Sequence, residues 1–539
     1  MKAQCLPCVQ IPHTTPLFAD FLSDFPKVQQ FYPRSPDFSD WLAQETPGRR
    51  YDAERRARVS DILERQNRAW ETSEKTIANI ARLRAGASAA VTGQQVGLFG
   101  GPLFSLYKAL TAVKLAEEAT SAGEDSVPIF WLATTDHDLA EVNQTTLPGP
   151  SGTLQALASS SHGVENAPVG TVRFTDEIQT IVQSAAELMG DSPVVEILRE
   201  SYRPGETLGS AFARLFARLF ADWGVILLDP SDPELHAIAA PIYAAAIERA
   251  AEIDEALLNR GKALEAAGYH QQVKVTPSST LLFTLKDGAR LPIHRRLNGN
   301  STEFLIHDEK ISQAELLRRI AGAHHDFSPN VLLRPVVQDH LLPTLCYTGG
   351  AAEVAYFGQA AVVYQELLGH VTPILPRLSA TLVEPKLQGL LERYALSLPD
   401  LFGGEEALRE KIAAKILPPE LQKAFDRAGT AVQQSMAQVQ EALGKLDKTL
   451  VEAGDNARSK MQHQLETLRG RAARAELRQS ELASRHAQQL SASLYPNKAL
   501  QEREIAGVYY LARHGTELLR DLYACLHTDC HDHQVVTLN

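Results

Sequence analysis

Apolar and polar positions divide this chain into three stretches of different rhythm. Up to about residue 86 the pattern is helical. In DAERRARVSDILERQNRAWETSEKTIANIARLRAG, apolar residues fall at helical spacing among charges, and Gly86 supplies a stop. From about 88 to 376, short β-branched or aromatic runs alternate with helical ones. The runs are 89–92, VPIFWLAT (127–134), WGVILLDP (223–230), HQQVKVTP (270–277), TLLFTL (280–285) and HVTPILP (370–376), with a helix predicted at 206–223. Near-continuous apolar strands alternating with helices predict a parallel sheet with helices on both faces. The cluster 271–306 reads instead as antiparallel hairpin material inserted in that scheme.

The third stretch, 421–490, has no proline and almost no aromatic residue. Apolar residues step by three and four through Phe425, Ala428, Val432, Met436, Val439, Leu443, Leu446, Leu450, Ala453 and Ala457. They continue through Met461, Leu465, Leu468, Ala472 and Ala475. This is a heptad with a slip near Met436, the signature of a coiled coil. About 70 residues of straight helix would run roughly 105 Å. A turn at Gly454, Asp455 and Asn456 would fold the stretch into a two-helix hairpin instead. The simplest role for such a coil is a dimerisation arm. After it, SLYPNKALQEREIAGVYYLARHGTELLRDLY reads as a Pro-stopped turn and a helix that returns to the core. The expected divisions are a helical segment at 1–87 and an α/β core at 88–380 with insertions at about 150–200 and 270–325. A helical coiled coil at 381–495 and a returning segment at 496–539 complete them.

Bulk properties narrow the classes. A chain of 539 residues with 44% apolar content can build two or three domains and a sizeable core. A net charge of -12 argues against general nucleic-acid binding, which needs a basic footprint. The N-terminus does not resemble a signal peptide, and no stretch is apolar for the roughly 18 residues of a membrane span. A soluble cytoplasmic protein is expected, with neither nucleic acid nor membrane as partner. Five cysteines suit a reducing compartment rather than a disulfide scaffold. Cys5 and Cys8 form a Cys-x-x-Cys, and the tail CLHTDCHDH gathers Cys525, His527, Cys530, His531 and His533; no metal is assigned to either.

Three polar stretches carry candidate chemistry. In TGQQVGLFGGPLFSLYKAL, Gly93, Gly97, Gly100 and Gly101 lie between a strand and the helix that Pro102 opens. A glycine loop at a helix N-terminus points backbone N–H groups and a positive dipole end at one spot, a natural anion site. Thr92, Gln94 and Gln95 belong to the same loop. Lys108 comes seven residues after Gly101, inside the helix, so this is not a Gly-x-x-x-x-Gly-Lys-Ser/Thr loop. The second stretch follows 127–134: Asp136, His137 and Asp138, then Glu141. A histidine between two aspartates can be held in one tautomer for acid/base work, while a structural helix cap is the plainer alternative. The third stretch, 331–359, places Arg334 and Asp339 ahead of Gly349, Gly350 and Glu353, a second glycine loop onto a helix. Arginine suits a carboxylate or phosphate, and Glu353 a substrate amine. Arg377 and Ser379 follow at the junction with the coiled coil.

Together these stretches resemble the bacillithiol-biosynthesis cysteine-adding enzymes (BshC). The matching pieces are TGQQVGLFGGPLFSLYKAL, IFWLATTDHDLAEVNQ, LLRPVVQDHLLPTLCYTGGAAEVAYFGQ, PRLSATLVE and LYPNKALQER, in the family's order over essentially the whole chain. The resemblance implies a Rossmann-like α/β core similar to class I aminoacyl-tRNA synthetases, with inserted segments and a C-terminal coiled coil for homodimerisation. It implies a ligase joining the carboxyl of cysteine to the amine of glucosaminyl-malate, with ATP and Mg2+ for activation. In those synthetases a His-x-Gly-His loop meets the ATP phosphates. Here Gln94, Gln95, Val96 and Gly97 stand in its place, with His137 on the next strand as a candidate substitute, and no Lys-Met-Ser-Lys-Ser-like loop is present. On this reading Thr92 to Gly101 hold an anion. Asp136, His137 and Asp138 orient the reactants and handle the proton, while Arg334, Asp339 and Glu353 bind charged substrate ends. The competing reading is a degenerate nucleotide-binding protein that dimerises through its coil.

Overall fold

The computed structural model describes residues 1–42, 51–149, 152–160, 163–298, 301–479 and 481–539. The inferred insertion boundary at 150 lies outside the described residues. The chain divides into two compact units: 1–148, 155–381 and 502–536 form one, and 149–154, 382–501 and 537–539 the other.

The first unit is organised on a five-stranded parallel sheet. Its strands are β1 (Ser88–Gln94), β2 (Ser126–Leu132), β3 (Ile226–Leu228), β4 (Thr344–Gly349) and β5 (Ile374–Pro376). They lie in the order β3-β2-β1-β4-β5, with Thr92 opposite Phe130 on one side and Thr348 on the other. β1 and β2 are buried almost throughout, as strands covered on both faces must be. Helix α1 (Phe104–Ser121) follows β1, α2 (Arg334–Leu341) precedes β4, and α3 (Ala351–Leu368) follows it. Because the chain runs outward from β1 in one direction through β3 and then restarts at β4, the sheet has a switch point between β1 and β4. Ligands of such sheets bind there, at the carboxyl ends of the strands.

The N-terminal helices, Ala53–Ala69 and Glu74–Ala85, begin on the side-chain caps of Asp52 and Ser73, and the second stops at Gly86. Their apolar faces, including Val59, Ile62, Leu63 and Ile80, join the core beside Val91 and Ile129. The predicted antiparallel insertion is a five-stranded sheet in the order Glu309–Ser312, Ser301–Ile306, Ala289–Asn298, Ser279–Lys286, Phe327–Pro329. The strand expected at 270–277 does not form. There the backbone N–H and carbonyl of Val273 pair with the side-chain amide of Gln359 instead of a neighbouring strand. The tail also departs from expectation: Cys5 and Cys530 form a disulfide, and Asp532 accepts from the backbone of Cys8. After residue 500 the single expected helix is three short ones, Gln501–Glu504, Gly507–His514 and Leu518–Cys525, the last two separated at Gly515. No helix of the described residues is long and apolar enough to cross a membrane.

In the second unit, α4 (Pro419–Leu446) and α5 (Leu450–Gln479) form an antiparallel hairpin. Gln440 donates to Asp455 and Arg469 to Asp426, both at 2.7 Å. The turn falls at 447–449, where Asp447 accepts from the backbone and hydroxyl of Thr449, and not at Gly454–Asn456. Gly454 lies within α5, where a Cβ would stand 2.9 Å from Gln440 Cγ. That glycine allows close approach of two helices rather than a turn.

Candidate functional site

A cavity of about 620 Å³ opens at the switch point, within the size range of small-molecule sites. Its floor is built from the ends of β1 and β4. Lys108, on α1, reaches back to donate to the Gly93 carbonyl at 2.7 Å and to Gln94 Oε1 at 2.9 Å. Its Nζ also lies 2.6 Å from Glu353 Oε2. Glu353 accepts further from Tyr347 Oη at 2.6 Å and from the backbone of Gly350 at 2.8 Å, closing the first turn of α3. Burial alone would push the Glu353 carboxyl up, but Lys108 and these donors outweigh it and hold the carboxyl below its ordinary range. Glu353 is therefore paired with Lys108, Tyr347 and the Gly350 backbone, where a free carboxylate for a substrate amine was expected. Gly349 permits the arrangement, because a Cβ there would meet that of Glu353 at 2.6 Å.

Three arginines line the same wall. Arg334, at the start of α2, donates to Gln338 and Tyr356 Oη and lies over the rings of Trp131 and Tyr347. Arg377 donates to Glu502 at 2.7 Å and lies over Phe104, which Arg503 also approaches. Lys108 and Arg377 thus have carboxylate partners, whereas among the described residues none stands within 4.0 Å of Arg334 or Arg503. The backbone of Gly350, Ala351 and Ala352, at the N-terminus of α3, borders the cavity beside these cations. An anion here meets both fixed positive charge and a helix dipole.

Another part of the lining carries the carboxylates of Asp136 and Glu141. The side-chain amide of Gln95 donates to Asp136 Oδ2 and Glu141 Oε2, each at 2.8 Å, and so holds two carboxylates together. Asp136 Oδ1 accepts from the backbone of His137 at 2.8 Å. The His137 ring is one-third exposed and faces Arg290, whose Nη1 lies 3.0 Å from its Nδ1. Arg290 comes from the inserted antiparallel sheet, and burial pushes its guanidinium down to about 10 against the opposing pull of Asp136.

Eleven of the predicted residues line the cavity: Gly93, Gln94, Gln95, Lys108, Asp136 and His137, with Glu141, Arg334, Gly350, Glu353 and Arg377. The other predicted residues lie outside its lining. Thr92 is buried between strands, its hydroxyl on the Thr348 carbonyl. The glycine-loop anion site does not form as expected. The Gly97 N–H bonds to Gln95, that of Gly100 to Gly97 and Tyr202, and that of Gly101 to Leu98. Asp138 is a helix cap, accepting from the backbone of Glu141. Asp339 is buried against Thr372 and Gln338. Gly349 ends β4, and its carbonyl accepts from Arg377. Ser379 bonds to Glu502 and His533. Sequence reading missed Arg290 and Arg503, and the ring walls of Trp131, Phe104 and Tyr347. Two of the tail histidines are occupied: His531 pairs with Asp37, and His533 with Ser379 and Thr381.

A doubly wound parallel sheet with a charged cavity at its switch point defines a Rossmann-like α/β protein. Residues 1–378 match the bacillithiol biosynthesis BshC N-terminal Rossmann-like domain, and 380–538 the BshC C-terminal coiled-coil domain. A protein of Koribacter versatilis named "Putative cysteine ligase BshC" is 50% identical over 99% of this chain and 100% of its own length. Proteins of the same name from Solibacter usitatus and Salinibacter ruber are 35% and 36% identical, covering 100% and 96% of each pair of chains. The chain belongs to the BshC family of bacillithiol biosynthesis.

Proposed function

We propose that this protein is a cytoplasmic ligase that joins the carboxyl of cysteine to the amine of glucosaminyl-malate, forming bacillithiol. The observation that carries the reading is the division of the cavity into a cationic wall and an acidic wall. Both substrates carry carboxylates and an amine. Arg334 and Arg503, short of carboxylate partners, suit substrate carboxylates, and Arg377 adds field strength behind them. Asp136 and Glu141, held by Gln95, suit the substrate ammonium and can take up a proton as nitrogen becomes the nucleophile. The buried rings of Trp131 and Tyr347 give part of the wall low polarity, which strengthens the charge interactions beside them.

A free carboxylate acylates poorly, so ATP with Mg2+ is part of the proposal. The phosphates would fall to Lys108, Arg334, Arg377 and the N-terminus of α3, with the ion on the phosphate oxygens. Bound there, ATP supplies the activating group for the cysteine carboxyl. The N–H groups of Gly97, Gly100 and Gly101 are taken up within the protein, which is the one observation that favours a degenerate, merely nucleotide-binding protein. Homodimerisation through α4 and α5 completes the proposal. Val439, Leu446, Met461 and Leu468 are 45%, 79%, 47% and 54% exposed, an unusual density of open apolar side chains.

Calorimetric titration of glucosaminyl-malate into the protein tests the substrate assignment. Saturable binding is expected, weakened at least about tenfold by Arg334→Met, which removes a charge-assisted contact. Absence of binding with and without ATP would overturn it.

A further inference from the structure

A guanidinium carries only donors, whereas a neutral imidazole carries one donor and one acceptor. Arg290 Nη1 points at His137 Nδ1 across 3.0 Å. That contact is a hydrogen bond only when Nδ1 presents its lone pair. A proton on Nδ1, in either the other neutral tautomer or the imidazolium, would set N–H against N–H. Arg290 cannot turn aside to relieve it. Its Nε donates to Ser328 Oγ at 3.0 Å, its Nη2 to the Pro329 carbonyl at 2.7 Å, and its guanidinium carbon sits 3.8 Å from the centre of the Phe283 ring. Its backbone N–H is fixed on the Asn166 carbonyl. The side chain is 9% exposed, against 34% for His137.

The alternative partner for Nδ1 is close. Asp136 Oδ1 lies 3.7 Å from it and 4.0 Å from Arg290 Nη1. A carboxylate beside Nδ1 ordinarily draws the proton to that atom, leaving Nε2 as a base. Here the arginine occupies Nδ1, while Asp136 Oδ1 accepts from the His137 backbone and Oδ2 from Gln95. Beyond Asp136 and Arg290, the charged group on this wall is Glu141, reached through the same amide of Gln95.

We propose that Arg290 is a positioning residue that holds His137 as the neutral tautomer with its proton on Nε2, so that His137 meets the substrate as a hydrogen-bond donor and not as a base. This rests on the reading of the cavity as a ligase site. It deepens that reading by assigning proton uptake to the Asp136–Glu141 pair and anion contact to His137. The inserted antiparallel sheet thereby becomes part of the site, since it delivers the group that sets the ring.

Nitrogen-15 NMR of histidine-labelled full-length protein tests the tautomer, with the His137→Gln spectrum assigning the signal. The wild type should show a pyridine-like Nδ1 and a protonated Nε2. In Arg290→Met, Nδ1 should become protonated and turn to Asp136, and kcat should fall about a hundredfold through misplacement of the donor, with KM changed far less. Arg290→Lys, which keeps one donor toward Nδ1, should restore the wild-type pattern and part of the rate. A protonated Nδ1 in the wild type, or an unchanged ring in a folded Arg290→Met, would overturn the proposal. The NMR result stands whether or not ligation is detected, so the tautomer and the ligase reading fail separately.

Discussion

Lys108 Nζ lies 2.6 Å from Glu353 Oε2, with side chains 4% and 15% exposed. The pair ties α1, which follows β1, to α3, which follows β4, and so locks the switch point on which the cavity is built. Removing one member of a buried pair leaves an uncompensated charge, at a cost of about 3–5 kcal/mol. Glu353→Gln should lower unfolding stability by that amount, and Lys108→Met combined with Glu353→Gln should cost less than the two singles added. Urea unfolding measures both; a loss under about 1 kcal/mol for Glu353→Gln, the level of an exposed pair, would contradict the role given to it.

The side-chain amide of Gln95 spans Asp136 and Glu141. Gln95→Leu should let the two carboxylates separate and lower kcat/KM about a hundredfold, the scale of a misplaced reacting group. Unaltered steady-state kinetics in that variant would remove the acidic pair from the mechanism.

His533 is enclosed, with Nδ1 2.7 Å from Ser379 Oγ and Nε2 2.8 Å from Thr381 Oγ1. Burial pushes its pKa from 6.5 down to about 4, against the opposing effect of Glu502. The unfolded chain therefore binds this proton at higher pH than the folded one. The stability it contributes is whole above pH 6.5 and is lost as the pH falls toward 4, at up to about 1.4 kcal/mol per pH unit. His236 and His340, also pushed down to about 4 by burial, share that direction. The effect of His533 is thus read as the difference between wild type and His533→Asn. That difference should shrink between neutral pH and pH 4; a constant difference would show that His533 is not held neutral.

Val432, Leu465, Met461 and Leu468 line an apolar groove on the hairpin, with Lys460 and Arg471 beside them. Exposed apolar seams of coiled coils bury themselves on a partner helix. Light scattering should report a dimer, and Met461→Glu with Leu468→Glu should convert it to a monomer of unchanged helicity. A monomeric wild type at all concentrations would refute the proposed dimer.

How much of this was legible in the sequence follows from how local each cause is. The parallel strands announced themselves because burial on both faces leaves uninterrupted apolar runs, as in SVPIFWL. Lys108 and Arg334 were legible through their position beside strand-end loops. The Thr92–Gly101 loop was misread because a glycine cluster shows that backbone turns sharply, not where its N–H groups go. Here Gln95, Gly97, Leu98 and Tyr202 absorb them. The hairpin turn was displaced for a similar reason, since Gly454 answers to Gln440 on the facing helix. Arg290 left no local trace. It is one of several basic residues in ARLPIHRRLN, and it reaches His137 across 153 positions of sequence. The Cys5–Cys530 bond spans 525 positions and is equally invisible to spacing arguments.

The central claim is that the two-walled cavity joins cysteine to glucosaminyl-malate. The most direct measurement is mass spectrometry of the purified protein incubated with both substrates, with and without Mg-ATP, following thiol product and nucleotide together. The account predicts bacillithiol only when ATP is present, with consumption of nucleotide matching product. Nucleotide binding without product, when both substrates are saturating, would contradict it.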